Sequence, residues 1–517
     1  MFLSGRHTGT TGLVILLTCV VHVSAQPSVS LMNGTIVGKF VTYESTTVKA
    51  FLGIPFAKPP VGGLRFSKPV AEHHLGSKSP YDATYNRPCC PQMGVPAWSV
   101  DDEMAQDEDC LYLNVFAPTS APDENKGHAV MIWIHGGAFK TGGGAHNNGE
   151  HLASRGNVIV VTFNYRLGVF GFLSTMDQHA HGNYGLYDQH CVIAWVHKYI
   201  SAFGGDPSRV TVFGESAGAV SATLQGLYVK NYGHFHKMIA QGGSFLAPHI
   251  KVERDPKPAA MFAASASGCS TEDHWTMLDC LRQTPWRRLR DVINQYSDNP
   301  AYRNMLHFHP TIDFDIISMT PKQMMDKMKM MVPEEIVFFR SLTLITGVNA
   351  FAGGASMNKS KIGMDMMQTE VEPMAEHRKR MEHIKHMLKH LYGKAQSFPN
   401  ATMELIYHEY TNWSHPHHKE HARTHFVKAL GDAECVVPTI MAARLHSQDN
   451  VPGKTHVYQF EPASSHRPEH TPEWLPGANR GEEIQFIFGE NYDKLQTWEK
   501  TLSDHMVKYW SNIAKSG

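Results

Sequence analysis

The chain has no dominant sign of charge. Its 517 residues carry 47 Lys and Arg against 48 Asp and Glu, a formal net charge of −1. No overall field therefore steers it toward nucleic acid or an acidic surface. Long apolar runs are missing too: after residue 25, no stretch approaches the ~20 residues that a membrane helix needs. There is no repeat of fixed period, which excludes a solenoid, and no long linker at which to divide the chain. Cysteines are few, 8 in all, and none is spaced with histidines as a closed zinc site requires. No metal, cofactor or nucleic-acid partner is expected.

The one apolar run lies at the beginning. Arg6 and His7 lead into "GLVILLTCVVHV", and Val23-Ser24-Ala25 supplies small residues before a cleavage ahead of Gln26. Residues 1–25 thus read as a secretory signal, and 26–517 as a mature extracellular chain without a membrane span. Secretion changes the meaning of Cys89, Cys90, Cys110, Cys191, Cys269, Cys280 and Cys435. An odd set in an oxidising compartment leaves at least one thiol free or paired between chains. The spacing of Cys269 and Cys280 suits a small closed loop. Asn33, Asn358, Asn400 and Asn412 each open an Asn-x-Ser/Thr glycan acceptor sequon.

What the chain does contain is an ordinary globular composition, 42% hydrophobic and 18% charged, with ample material for a large core. "AVMIWI" (129–134), "NVIVVTF" (157–163), "RVTVF" (209–213), "LTLIT" (342–346) and "THVYQF" (455–460) read as strands. The stretches 188–203 and 498–515 read as helices. Such alternation predicts an α/β fold, a large mostly parallel twisted sheet covered by helices on both faces. Chemistry in such sheets sits beyond the carboxyl ends of the strands. The Met-, Lys- and His-rich segment 321–425 reads as helical excursions outside the sheet. Its His383, His386 and His390 read as a solvated polar face.

At the end of one predicted strand stands "VTVFGESAGAV". Gly214-Glu215-Ser216-Ala217-Gly218 is a G-x-S-x-G nucleophile elbow, preceded by a strand and followed by small residues of a helix. Ser216 is the candidate nucleophile. "IHGGAF" (134–139) follows another strand, and its backbone can turn toward that serine. The N–H groups of Gly137 and Ala138, with that of Ala217, would form the oxyanion hole.

Longer strings carry a family likeness. "FLGIPFAKPPVGGLRF" (51–66), "EDCLYLNVFAP" (108–118), "GNYGLYDQ" (182–189), "FGGDPSRVTVFGESAGA" (203–219) and "EIQFIFG" (483–489) occur in order. Through most of its length the chain resembles the type-B carboxylesterases, which include cholinesterases and the neuroligin-like adhesion proteins. The resemblance implies one α/β-hydrolase domain over 26–517, with a C-terminus shorter than is usual in the family. It also implies disulfides Cys90–Cys110, with Cys89 as the alternative first partner, and Cys269–Cys280, together with an ion pair between Glu108 and Arg166. Trp98 lies where cholinesterases carry a choline-stacking tryptophan, but the longer spacing favours a packed loop residue.

The same resemblance exposes a loss. In this fold the serine's partners follow in the order acid, then histidine. The acid stretch of the family corresponds to "GVNAFAGG" (347–354), where Ala352 occupies the acid position. The histidine stretch corresponds to "LPGANRGEEIQFIFG" (475–489), where Arg480 occupies the base position. An arginine stays protonated at any working pH and cannot take the serine's proton. A family serine that supports the pair is replaced by Gly242. The expectation is a secreted, glycosylated family member with strongly impaired catalysis. It would act as an extracellular binding or matrix component toward an extracellular protein or a small ester-like ligand. The alternative is an active carboxylic ester hydrolase that uses His466 or His470 as base and Asp365, Glu370 or another carboxylate as acid.

Overall fold

A computed structural model describes residues 26–516, apart from 32, 45, 76–77, 93–104, 123–125, 249–254, 298–307, 329, 358–376, 393–397, 449–451 and 469–470. The expected signal segment 1–25, Trp98, Asn358, Asp365, Glu370 and His470 lie outside the described residues. Among the described residues twelve strands lie in two sheets. A small sheet holds β1 (Ser28–Leu31), β2 (Gly34–Val37) and β5 (Tyr81–Asp82).

The large sheet has nine strands in the order β12-β11-β10-β9-β7-β8-β6-β4-β3. These are β3 (Lys39–Tyr43), β4 (Thr46–Pro55), β6 (Tyr112–Pro118), β7 (His128–Ile134), β8 (Ile159–Phe163), β9 (Gly205–Glu215), β10 (Lys237–Gln241), β11 (Thr343–Asn349) and β12 (Thr455–Phe460). From β12 through to β8 every neighbouring pair is parallel, and from β8 to β3 every pair is antiparallel. This is the α/β-hydrolase arrangement.

Strand β7 shows why helices must cover both faces. Val130, Ile132 and Ile134 enter one core, which they share with helices Tyr184–Tyr199 and Ala217–Leu227. Ala129, Met131 and Trp133 enter a second core with helices Glu150–Gly156 and Thr497–Ser516. A strand apolar on both faces is stable only inside a covered sheet. The segment 321–425 is largely helical among its described residues, as Pro321–Met328, Glu334–Ser341, His377–Tyr392, Asn400–Glu409 and the start of Lys419–Gly431, but it also contains β11.

Disulfides join Cys90 to Cys110 and Cys269 to Cys280, with Cα–Cα distances of 5.0 and 5.8 Å. Cys89 is therefore not the bridged residue; it is buried outside any disulfide, as is Cys435, while Cys191 is an unbridged, half-buried thiol. The expected Glu108–Arg166 pair is not formed. Arg65 grips Glu108 with two hydrogen bonds of 2.6 and 2.5 Å and caps the Leu281 and Thr284 carbonyls with its remaining nitrogen. Arg166 instead grips Asp188 at 2.8 and 2.7 Å. Each buried guanidinium needs a two-pronged carboxylate. The loop carrying Arg65 reaches Glu108 first, while helix Tyr184–Tyr199 presents Asp188 to Arg166.

Candidate functional site

Ser216 stands between β9 and helix Ala217–Leu227 with φ 56° and ψ −118°. A non-glycine residue in that conformation is strained, and the neighbouring contacts enforce it. A Cβ on Gly214 would come within 2.6 Å of the Ile134 carbonyl oxygen, and one on Gly218 within 1.9 Å of the same atom. The two glycines of the elbow are thus required by the close passage of the end of β7. The Ser216 N–H donates to Gln241 O at 2.9 Å, which ties the turn to β10. The serine is partly accessible.

The glycine loop after β7 runs alongside. A Cβ on Gly136 would meet Glu215 O at 2.9 Å and Ser216 Cβ at 3.4 Å. Gly137, Ala138 and Phe139 take positive φ values of 102°, 55° and 60°, which curls the loop. Its turn is closed by the N–H groups of Lys140 and Thr141, which donate to Gly137 O. The N–H groups of Gly137, Ala138 and Ala217 donate to no acceptor among the described residues. His135, one residue earlier, is buried and stacked on Tyr165. Burial pushes its pKa down to about 3.

Ala352 and Arg480 come from neighbouring loops. Phe351 and Asn479 form a parallel bridge, and the Phe351 N–H donates to Ala478 O at 2.9 Å. Ala352 is buried against Val348 and Cys435. The Arg480 guanidinium lies 3.6 Å from Glu215, the residue before Ser216, and donates to Gly242 O at 2.8 Å. The Cys435 thiol reaches the same carbonyl at 3.7 Å. Residues 216, 242, 352 and 480 thus belong to one connected neighbourhood at the carboxyl ends of β9, β10 and β11 and beside the loop after β12.

Burial acts to lower the Arg480 pKa, but Cys435, Glu215, Glu434 and Glu483 more than offset it, and the group stays above its ordinary value. Burial pushes the Cys435 thiol up to about 11. The thiol is neutral near pH 7, so the glutamates supply the compensating charge. Glu483 is itself buried, and burial raises its pKa, although Asn349 and Gln241 donate to its two oxygens at 2.6 and 3.1 Å. Sequence reading missed Glu215, Glu483 and Cys435 as neighbours of Arg480. Only Glu215 carried a signal, by standing inside the elbow motif.

Among the described residues no side chain hydrogen-bonds the Ser216 hydroxyl. His466 bonds Ser465, whose hydroxyl in turn donates to Glu499 at 2.6 Å. In the His-rich region, His383 lies against Phe426 and His386 bonds Glu382 O of its own helix. No three His, Cys, Asp or Glu side chains converge as a metal site among the described residues. No described helix is long and apolar enough to cross a membrane.

With this geometry in view, residues 25–517 match the model of the carboxylesterase family. The chain belongs to that family. It is 31% identical to liver carboxylesterase B-1 of Rattus norvegicus over 98% of this chain and 89% of that protein. It is 34% identical to the bile salt-activated lipase of Rattus norvegicus over 91% of this chain and 73% of that protein. To neuroligin-2 of Homo sapiens it is 32% identical over 91% of this chain, and it spans 58% of that protein. This carboxylesterase-family chain therefore has relatives named as esterases and lipases, and others that are not.

Proposed function

We propose that this carboxylesterase-family protein is secreted and glycosylated and acts by binding, as an extracellular or matrix component with strongly impaired turnover. The observation that carries the reading is Arg480 paired with Glu215 beside Ser216. A guanidinium cannot accept the serine's proton, and Ala352 offers no carboxylate to orient a base. Losing one triad member already removes most of the catalysis, and losing the second adds little. Backbone donors alone leave a rate of roughly 10³–10⁴ over water. The partner would be an extracellular protein or a small ester-like molecule.

Secretion is supported by the apolar run of residues 12–23 and by the two disulfides. Asn400 is an exposed acceptor, and Asn33 is exposed with its amide nitrogen on His74 at 2.9 Å. Asn412 uses its amide nitrogen on His421 at 3.0 Å, so a glycan there would have to displace that contact.

A second reading is an ester hydrolase with relocated partners. It draws on the strained elbow and on the unengaged N–H groups of Gly137, Ala138 and Ala217. Hydrolysis of a short-chain p-nitrophenyl ester separates the two. The binding reading expects native protein and Ser216→Ala to match, with serine-dependent turnover regained in the Ala352→Glu, Arg480→His variant. Serine-dependent turnover by the native protein overturns it.

A further inference from the structure

A cavity of about 380 Å³ opens away from the elbow, between the loop that follows the Gly62–Leu64 turn, the loop before helix Tyr184–Tyr199, and helix His274–Gln283. None of its lining residues belongs to the neighbourhood of Ser216. Its volume is that of a small-molecule site. No Asp or Glu lines it, whereas Lys68 and Arg282 do, with His179, His181, Gln178 and Ser67 adding further polar groups.

The two cations are held differently. Lys68 is exposed and already paired with Asp315 at 2.7 Å. Arg282 is half-buried, and its Nε donates to the Arg65 backbone carbonyl at 3.1 Å. Its two terminal nitrogens have no partner among the described residues. The buried arginines nearby, Arg65 and Arg166, have their charges matched by Glu108 and Asp188. Arg282 is thus a positioned guanidinium with a free fork, the geometry that captures a planar anion.

Beside it the Trp275 indole is 64% exposed, a large apolar face left in water at the cavity wall. The His179 ring meets it edge-on at 6.2 Å. On the same lining the Tyr184 hydroxyl is buried beside the Gly182 backbone. Burial raises its pKa to about 12, with the Gly182 amide and the charges of Arg166 and Arg282 holding the rise down.

We propose that this cavity binds a sugar ring bearing a carboxylate or sulfate, its apolar face on Trp275 and its anion on the free fork of Arg282. The amphipathic shape of such a ring, one apolar face and an edge of hydroxyls, matches an indole flanked by His, Gln and Ser groups. The cation without an acidic neighbour on the lining selects the charged sugar over the neutral one. This proposal does not depend on whether Ser216 turns over esters.

The test is calorimetric titration and tryptophan quenching of the full mature protein with four ligands: a uronic-acid disaccharide, a sulfated disaccharide, a neutral disaccharide and inorganic sulfate. At least one acidic disaccharide should bind at a single site, at least tenfold tighter than both the neutral disaccharide and sulfate, and the comparison of the two acidic sugars decides which anion fits. Trp275→Ala and Arg282→Met should each weaken that binding at least tenfold. Trp275 is exposed, so its variant folds and decides the matter even where Arg282→Met does not. Equal binding of neutral and acidic sugars, equal binding of sulfate alone, unchanged affinity in Trp275→Ala, or no binding at all overturns the proposal.

Discussion

The guanidinium of Arg480 lies 3.6 Å from the carboxylate of Glu215, directly behind Ser216, and its far nitrogen holds the carbonyl of Gly242. Under the proposed reading, this permanent cation stands where a hydrolase would carry its base. Both partners of this pair are about nine-tenths buried, so removing one leaves an uncompensated charge in the protein interior. Arg480→Met should cost roughly 3 kcal/mol of stability. Adding Glu215→Gln should restore part of that loss. Urea unfolding of the two single variants and the double variant measures the coupling, and strict additivity would show that the two charges ignore each other.

The reassignment of the Glu108 partner has its own double-mutant cycle. Glu108→Gln with Arg65→Met should show a coupling of at least ~1.5 kcal/mol, in the range seen for groups that share a network. Glu108→Gln with Arg166→Met should be additive within about 0.5 kcal/mol, because Arg166 is satisfied by Asp188.

Stability should fall in mild acid, and the buried imidazoles give the sign. His151 bonds Tyr43 and Ser503 and is fully buried, and burial pushes its pKa from 6.5 down to about 3. Burial also holds His135 at about 3 and His446 at about 4. Between these values and 6.5 the unfolded chain binds protons that the folded chain refuses. Their contribution is complete above pH 6.5 and is lost as pH falls below it, by about 1.4 kcal/mol per pH unit for each group. His151→Gln should flatten the slope between pH 6 and pH 4 by that amount. Urea midpoints across this range measure it, and an unchanged slope would exclude His151 as a contributor.

The thiols offer a simple count. Burial pushes Cys89 to about 11, Cys191 to about 12 and Cys435 to about 11. A thiol that is neutral and at least half-buried attacks a disulfide reagent only slowly. Protein produced from Gln26 onward should show no rapid reaction with such a reagent near pH 7.5 when folded. Three groups should react in denaturant without reductant, because Cys90, Cys110, Cys269 and Cys280 are bridged. A count above three would mean that one of the bridges is open.

Much of this protein is legible in the chain itself. Continuous apolar runs mark β7, β8, β9 and β11, since burial on both faces demands those residues; β12, largely uncovered, is marked by its β-branched and aromatic residues instead. The G-x-S-x-G string marks the elbow because only glycine tolerates the 1.9–2.6 Å approaches to Ile134 O. The family resemblance also carries the expectation that the acid and base positions are held by Ala352 and Arg480, neither of which can do a histidine's or a carboxylate's work. Charge pairing was another matter. Whether Glu108 meets Arg65 or Arg166, whether Cys89 or Cys90 is bridged, and that Arg480 turns toward Glu215 all depend on which loops the sheet brings together. These partners lie 43, 20 and 265 residues apart in the chain. No local pattern encodes such contacts; the loops between β4 and β6 decide the first two, and the packing of β9, β10 and the loop after β12 decides the third.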